Sequence, residues 1–261
     1  MNTPEIRTTS EEVPGEKLTA TSELLASFTT PLPRRRLLGA ALATGTVAAA
    51  GSAALTLMDA RTVHAEAASG GSILTEYFSI LATGEALFVT FYSHAVAHAR
   101  RLRLEEEALN AIKAILTEEQ IHLNFALANG GVPATTHFSF PHGDDTFENR
   151  SLFLETQQLG EVLTNGALLA WIKDMAVMGR PRLAQIGGQL MQVEGGHRVV
   201  GRVIMEAEPW DNWAFGPVAL ASFLDVPAAV KAAGFLSPRP GNDFEYHAVS
   251  ASSPGVINTS P

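Results

Sequence analysis

Two Glu-x-x-His pairs, Glu119-Gln-Ile-His122 and Glu194-Gly-Gly-His197, are the residues of this chain best suited to chemistry. No other Glu in the sequence has a His three positions later. On a helix that spacing points both side chains to one face about a turn apart, where a carboxylate and an imidazole share one region of space. Each pair is preceded by a single Glu at a similar interval: Glu85 lies 34 residues before Glu119 (119 − 85) and Glu161 lies 33 before Glu194 (194 − 161). The chain thus repeats one chemical pattern twice, a lone Glu and then Glu-x-x-His, with little repetition of sequence around it.

The surroundings of these residues point to cations. Glu85 sits among Leu81, Phe88, Val89 and Tyr92, and Glu119 among Ile115, Leu116 and Leu123. Four carboxylates buried together without counter-charge would have to protonate or unfold the protein. Two divalent cations match their charge, and neutral imidazoles complete the shells. An oxygen-rich set with two imidazoles suits iron or manganese better than copper or zinc. Such a pair of ions supports redox, oxygen-activating or hydrolytic chemistry. Glu161 has the most polar neighbours, Gln157, Gln158, Thr164 and Asn165. Its competitor Glu155 lies six positions upstream, about 240° around a helix, and points elsewhere. The Gly195-Gly196 pair costs roughly 1 kcal/mol per glycine against Ala, which predicts a close backbone approach, a local bulge or a looser site there. His94 and His98 face away from Glu85 and read as surface or interface residues. His137 and His142, with Asp144 and Asp145, belong to a solvated loop, and Trp171, Trp210 and Trp213 read as packing aromatics.

The elements that must position the six residues are legible as four long helices. An apolar stripe through Ile73, Tyr77, Leu81, Phe88 and Tyr92 predicts a helix from Ile73 to about Ala99, with Glu85 inside the stripe. Glu105–Glu107 favour the start of a second helix, which stops at Asn129-Gly130-Gly131. The third is predicted from about Ser151 to Met178 and the fourth from Pro181 to about Ala207. Residues 129–149 show no period and read as a crossover. Their 21 residues (149 − 129 + 1) reach about 70 Å when extended, more than the roughly 38 Å of a 25-residue helix. Beyond Pro209 one short helix is expected, capped by Asp225, with Pro227 in its first turn and Gly234 after its end, and then an ordinary tail.

The first sixty-odd residues differ from the rest. Arg34-Arg35-Arg36 precedes Leu37–Met58, a stretch without charge, and Val63-His64-Ala65 and Ala65-Glu66-Ala67 offer small-residue cleavage sites. This is the basic–apolar–small order of an export signal, and Arg35-Arg36-Leu37-Leu38 resembles a twin-arginine signal. The alternative is an uncleaved membrane anchor. The absence of cysteine excludes disulfides, thiolate zinc sites and iron–sulfur clusters. A formal net charge of −9 without a basic stripe argues against nucleic acid as a partner.

From Ile73 to about Glu206 the chain resembles the bacterial ferritin-like domain proteins of the secreted, desiccation- or stress-associated type. The resemblance is carried by Gly84-Glu85 through Tyr92, Glu118-Glu119-Gln-Ile-His122 through Gly131, Phe153 through Glu161, and Val193-Glu194-Gly-Gly-His197. It implies an all-α fold: a ferritin-like four-helix bundle of two antiparallel hairpins joined by a long crossover. The expected division is residues 1–66 as leader and signal, 67–208 as the bundle, and 209–261 as a C-terminal extension with a short helix. It further implies that Glu85, Glu119, His122, Glu161, Glu194 and His197 ligate two divalent ions, iron or manganese. The expected partners are those ions and small oxidants, in an exported protein without stable membrane association once the signal is removed; homo-oligomerisation is left open. Two functions fit this expectation, an oxidoreductase of the ferroxidase or manganese-catalase kind and a non-catalytic metal-binding stress protein.

Overall fold

A computed structural model describes residues 60–261, with side chains from Ile73 onward. The tri-arginine and apolar stretch of the expected export signal lies outside the described residues. Helix α1 spans Ala60–Ala97 and α2 Glu106–Ala128. After the crossover, α4 spans Arg150–Val177 and α5 Pro181–Ile204. The crossover itself carries a two-residue strand, β1 (His137–Phe138), and a single helical turn, α3 (Asp145–Glu148). The C-terminal part adds a 3-10 turn (Phe223–Asp225), α6 (Val226–Ala232) and β2 (Phe244–Glu245), which pairs antiparallel with β1. The fold is all-α apart from that ribbon.

The chain turns where its glycines allow it. Gly130 at φ 88° ends α2, and the Gly131 amide returns to the Ala126 carbonyl at 3.0 Å. Gly179 at φ 66° ends α4, and Pro181 starts α5 immediately. Both are left-handed positions that a side chain would strain. Seven of the eight ends of the long helices fall within about three residues of the expected ones; the start of α1 does not. The expectation began at Ile73 because the apolar stripe begins there. The backbone is already helical at Ala60, so both cleavage motifs and the 66/67 boundary lie along α1. Ala60–Ser69 is rich in Ala and lacks Pro and Gly, so propensity extends the helix where no buried stripe marks it.

Helices α1 and α2 pack as one hairpin and α4 and α5 as the other. Part of α1, Ile73–Ala97, is long and apolar enough to cross a membrane. Yet 67% of its most apolar window is buried inside the protein, as in a core helix. Two aromatic clusters bracket the middle of the core. At one end Phe91 stacks on Phe153 with ring centroids 5.0 Å apart, and Phe140 meets Phe244 at 4.9 Å. At the other, Trp171 meets Phe223 at 5.1 Å and Phe78 at 5.3 Å.

The C-terminal extension is built in. Asp174 on α4 accepts hydrogen bonds from the Tyr77 hydroxyl at 2.9 Å and from the Ser222 hydroxyl and Phe223 amide at 2.8 Å each. Burial alone would raise its carboxyl, but these donors and Lys173 outweigh that and lower it. Asp225 does not cap α6 with its side chain as expected. Its carboxylate instead accepts from the Ser222 amide at 3.0 Å, closing a capping box on the 3-10 turn. The last residues are not an ordinary tail either. The Tyr246 hydroxyl and Val249 amide both donate to Gln120 on α2, at 3.2 and 2.9 Å.

Replacing Asp174 by Ala strands two hydroxyls and an amide, one from α1 and two from the 3-10 turn. At roughly 1–3 kcal/mol for a buried unsatisfied group, the expected loss is about 3 kcal/mol in denaturant unfolding at pH 7. Asp174→Asn, which keeps one acceptor oxygen, loses less. Because the folded carboxyl is lowered, its contribution is present above about pH 4 and is lost as pH falls through the folded value.

Candidate metal centre

All six residues converge at mid-height between the two aromatic clusters. Glu85 comes from α1, Glu119 and His122 from α2, Glu161 from α4, and Glu194 and His197 from α5. Glu119, Glu161 and Glu194 are fully buried, Glu85 and His197 are 3% exposed, and His122 is the most open at 8%. The side chains form two overlapping groups, Glu85, Glu119, His122 and Glu194, and Glu119, Glu161, Glu194 and His197. In each group one ligand atom per residue lies within 4.8 Å of all the others. Glu119 and Glu194 belong to both groups. Glu85 with His122, and Glu161 with His197, each belong to one. Each group could hold a metal ion.

Both imidazoles turn Nδ1 inward. His122 Nδ1 lies 3.0 Å from Glu194 Oε1 and 3.7 Å from Glu85 Oε2. His197 Nδ1 lies 3.1 Å from Glu194 Oε2 and 3.2 Å from Glu119 Oε1. Closeness is not the same as satisfaction here. Both oxygens of Glu119, Oε1 of Glu194, Oε2 of Glu161 and Nδ1 of His122 are buried without a hydrogen bond. Buried polar atoms are nearly always paired, and a cluster of orphans aimed at one volume is what a cation site leaves when only the protein is considered. The donor set fits hard or borderline divalent ions.

Electrostatics lead to the same conclusion. Burial, then the charge of Glu194, pushes Glu119 well above the usual carboxylate range and Glu161 up to about 8. Burial opposes ionisation of Glu194 as well, but His197 and His122 outweigh it and hold its carboxyl well below that range. Burial would lower both histidines; Glu194, with Glu85 at His122 and Glu118 at His197, raises them well above normal instead. Without cations the cluster therefore favours the protonated forms of both imidazoles, Glu119 and Glu161 and the charged form of Glu194. Cations must displace those protons to bind.

A second layer fixes the first. His197 donates Nε2–H to Glu118 at 2.9 Å, the carboxylate–histidine arrangement that sets a ligand's tautomer. The Tyr92 hydroxyl donates to Glu161 Oε1, and burial, then Glu161, raises that phenol well above its ordinary value. Gln157 Nε2 donates to the His197 carbonyl at 2.9 Å and Gln158 Nε2 to the Arg198 carbonyl at 2.9 Å, pinning α5 to α4. The polar neighbours of Glu161 are thus a buried scaffold, since Gln157 and Asn165 are themselves buried. Glu155 points away, to the side of His142.

No family model, curated protein or solved structure matches this chain.

The Gly195-Gly196 expectation needs correction. A Cβ on Gly195 would meet only Asn165 Oδ1 at 3.7 Å and one on Gly196 nothing within 4 Å, and α5 continues through both without a bulge. The pair instead borders an open cleft beside Trp213. His94 and His98 do face away from the centre, but they are half-buried. His94 packs on Phe244 and Phe147 with centroids 5.0 and 5.1 Å away, and His98 lies 3.7 Å from Glu148. His137 pairs with Asp243 at 2.9 Å. Trp171 packs in the core, whereas Trp213 stacks under the Arg198 guanidinium at 3.7 Å and Trp210 is 53% exposed.

Glu118 enters the sequence reading only as part of the stretch Glu118-Glu119-Gln-Ile-His122, with no role of its own. Only the packing of α5 on α2 reveals its role. With His122 it also lines an open cleft of about 520 Å³ between α2 and α5, along which Val256–Pro261 run. At His122 that cleft borders the centre.

Proposed function

We propose that this chain is an exported ferritin-like protein whose six-residue cluster holds two divalent ions, iron or manganese, and that it is an oxidoreductase acting on oxygen, peroxide or ferrous iron. The observation that carries the reading is the sharing of Glu119 and Glu194 by both ligand groups, with one further carboxylate and one imidazole reserved for each. This is the ligand distribution of ferritin-like di-iron and di-manganese proteins, and the two hairpins with a long crossover are consistent with it. The twin-arginine-like leader supports export of a folded, loaded protein.

A bound pair of such ions supplies one-electron redox chemistry and Lewis acidity to a small oxidant. The protein's own residues do the rest. Glu119 and Glu194 would be shared by both ions, Glu118 orients the His197 ring, and Gln157 pins the backbone that carries it. Tyr92 holds a proton against Glu161 Oε1, where it steadies the ligand's charge. The aromatic clusters above and below exclude bulk water.

The test is turnover. The iron- or manganese-loaded chain is expected to consume peroxide, or oxygen with ferrous iron, at least tenfold faster than the same metal free in solution, which corresponds to about 1.4 kcal/mol of barrier. Rates equal to those of free metal, from a chain that retains its ions, would show that it binds without catalysing.

A further inference from the structure

Between α1, α4 and the C-terminal α6 lie two adjoining apolar chambers. The outer one, of about 230 Å³, opens beside Glu76 and Ser79. The inner one, of about 50 Å³, ends on Glu85 and the ring of Phe88. Ile80, Gly84, Leu87, Val226 and Val230 line both chambers, so the two meet along these residues.

Their walls offer a ligand almost no hydrogen bonding. Ser79 donates its hydroxyl to the Thr75 carbonyl at 2.7 Å and accepts the Val132 amide at 3.1 Å. Thr83 donates to the Ser79 carbonyl at 2.7 Å and accepts the Ala134 amide at 2.9 Å. Thr164 donates to the Gly160 carbonyl at 3.2 Å. Glu85 is the one charged residue lining the inner chamber, and Glu76 the one at the outer mouth.

Of two mid-helix glycines at the chambers, Gly84 leaves space open and Gly160 makes room for the Phe88 ring. A Cβ on Gly84 would meet nothing within 4 Å, although its neighbours Thr83 and Glu85 are buried. At Gly160 a Cβ would come within 2.7 Å of Phe88 Cζ, so the missing side chain lets that ring lie against α4. Each glycine forgoes roughly 1 kcal/mol of helix propensity, and both border the chambers.

We propose that these chambers bind an uncharged, medium-length alkyl chain, which enters between α1 and α6 and brings its end to the Glu85 side of the centre. An apolar cavity of about 150 Å³ already takes up benzene, and the outer chamber alone is larger. A negatively charged head group is disfavoured by Glu76 at the mouth. The chemical significance of the site rests on the two-metal reading above; binding of the chain does not.

Calorimetric titration of the metal-free full-length protein with 1-octanol tests this, with octanoate as comparison and metal content measured in parallel. The expected result is saturable binding of one octanol per chain and weaker binding of octanoate. Binding should be lost in Gly84→Leu, which fills the chamber from α1. Val230→Trp fills it from the opposite wall and serves if Gly84→Leu does not fold. No saturable binding to the unaltered chain, or binding unchanged by a folded filling variant, overturns the proposal. A chain that binds octanol but no metal keeps the pocket and loses the metal reading. One that holds two ions but no octanol does the reverse.

Discussion

Glu194→Gln is expected to destabilise the metal-free protein by about 3–5 kcal/mol, while Glu119→Gln costs under about 1 kcal/mol, although both residues are fully buried and both variants lose the ions. The asymmetry follows from the histidines. Glu194 faces both imidazoles, at 3.0 and 3.1 Å, whereas Glu119 approaches only His197, at 3.2 Å. Glu194 is therefore the charged carboxylate that both imidazoles share, whereas burial and the charge of Glu194 favour the protonated form of Glu119. A glutamine is nearly isosteric with a protonated glutamic acid, so Glu119→Gln leaves the metal-free cluster as it was. Glu194→Gln takes from both buried rings the carboxylate they share, leaving Glu85 near His122 and Glu118 on His197. Denaturant unfolding of both metal-free variants at pH 7 separates these cases; equal losses would contradict the charge assignment.

Removing the ions is expected to have the largest effect on the whole protein. A ligand present at a thousand times its dissociation constant stabilises by about 4 kcal/mol, so two ions contribute about 8. For a domain of this size that lowers the unfolding midpoint by on the order of 20 °C on chelation. The effect depends on pH with a definite sign. Burial raises Glu161 to about 8, and both histidines are also raised, so metal-free protein binds more protons folded than unfolded between about pH 6 and 8.5. From these groups the metal-free protein loses stability as pH rises through that window. Metal binding must displace the same protons, so the stabilisation by metal grows over the same range. Thermal unfolding with and without chelator at pH 6, 7 and 8 should show a widening gap, and a constant gap would contradict the assignment.

How much of this was legible in the sequence depends on the range of the interactions. The two Glu-x-x-His pairs and the lone glutamates at near-equal intervals are local patterns, and all six residues meet in the structure. The ends of α2, α4 and α5 are marked by Gly130, Gly179 and Pro181, whose conformational limits act within a residue or two. What was missed needed a partner far along the chain. Glu118 acquires its role from His197, 79 positions away, and Tyr92, read as one member of an apolar stripe, acquires its role from Glu161, 69 positions away. Gln120, within the first Glu-x-x-His motif, accepts from Tyr246 and Val249, more than 120 positions away. The Gly195-Gly196 pair shows the opposite error. A local oddity invited a functional reading, and the structure gives it no contact that requires glycine.

Metal content per chain tests the central claim most directly. The full-length protein, folded in iron- or manganese-replete medium, is expected to carry about two ions per chain. Glu85→Ala or Glu161→Ala, which touch one group each, should retain about one, and Glu119→Ala/Glu194→Ala should retain none. A well-folded chain without iron or manganese, or a double variant with unchanged metal content, would contradict the account.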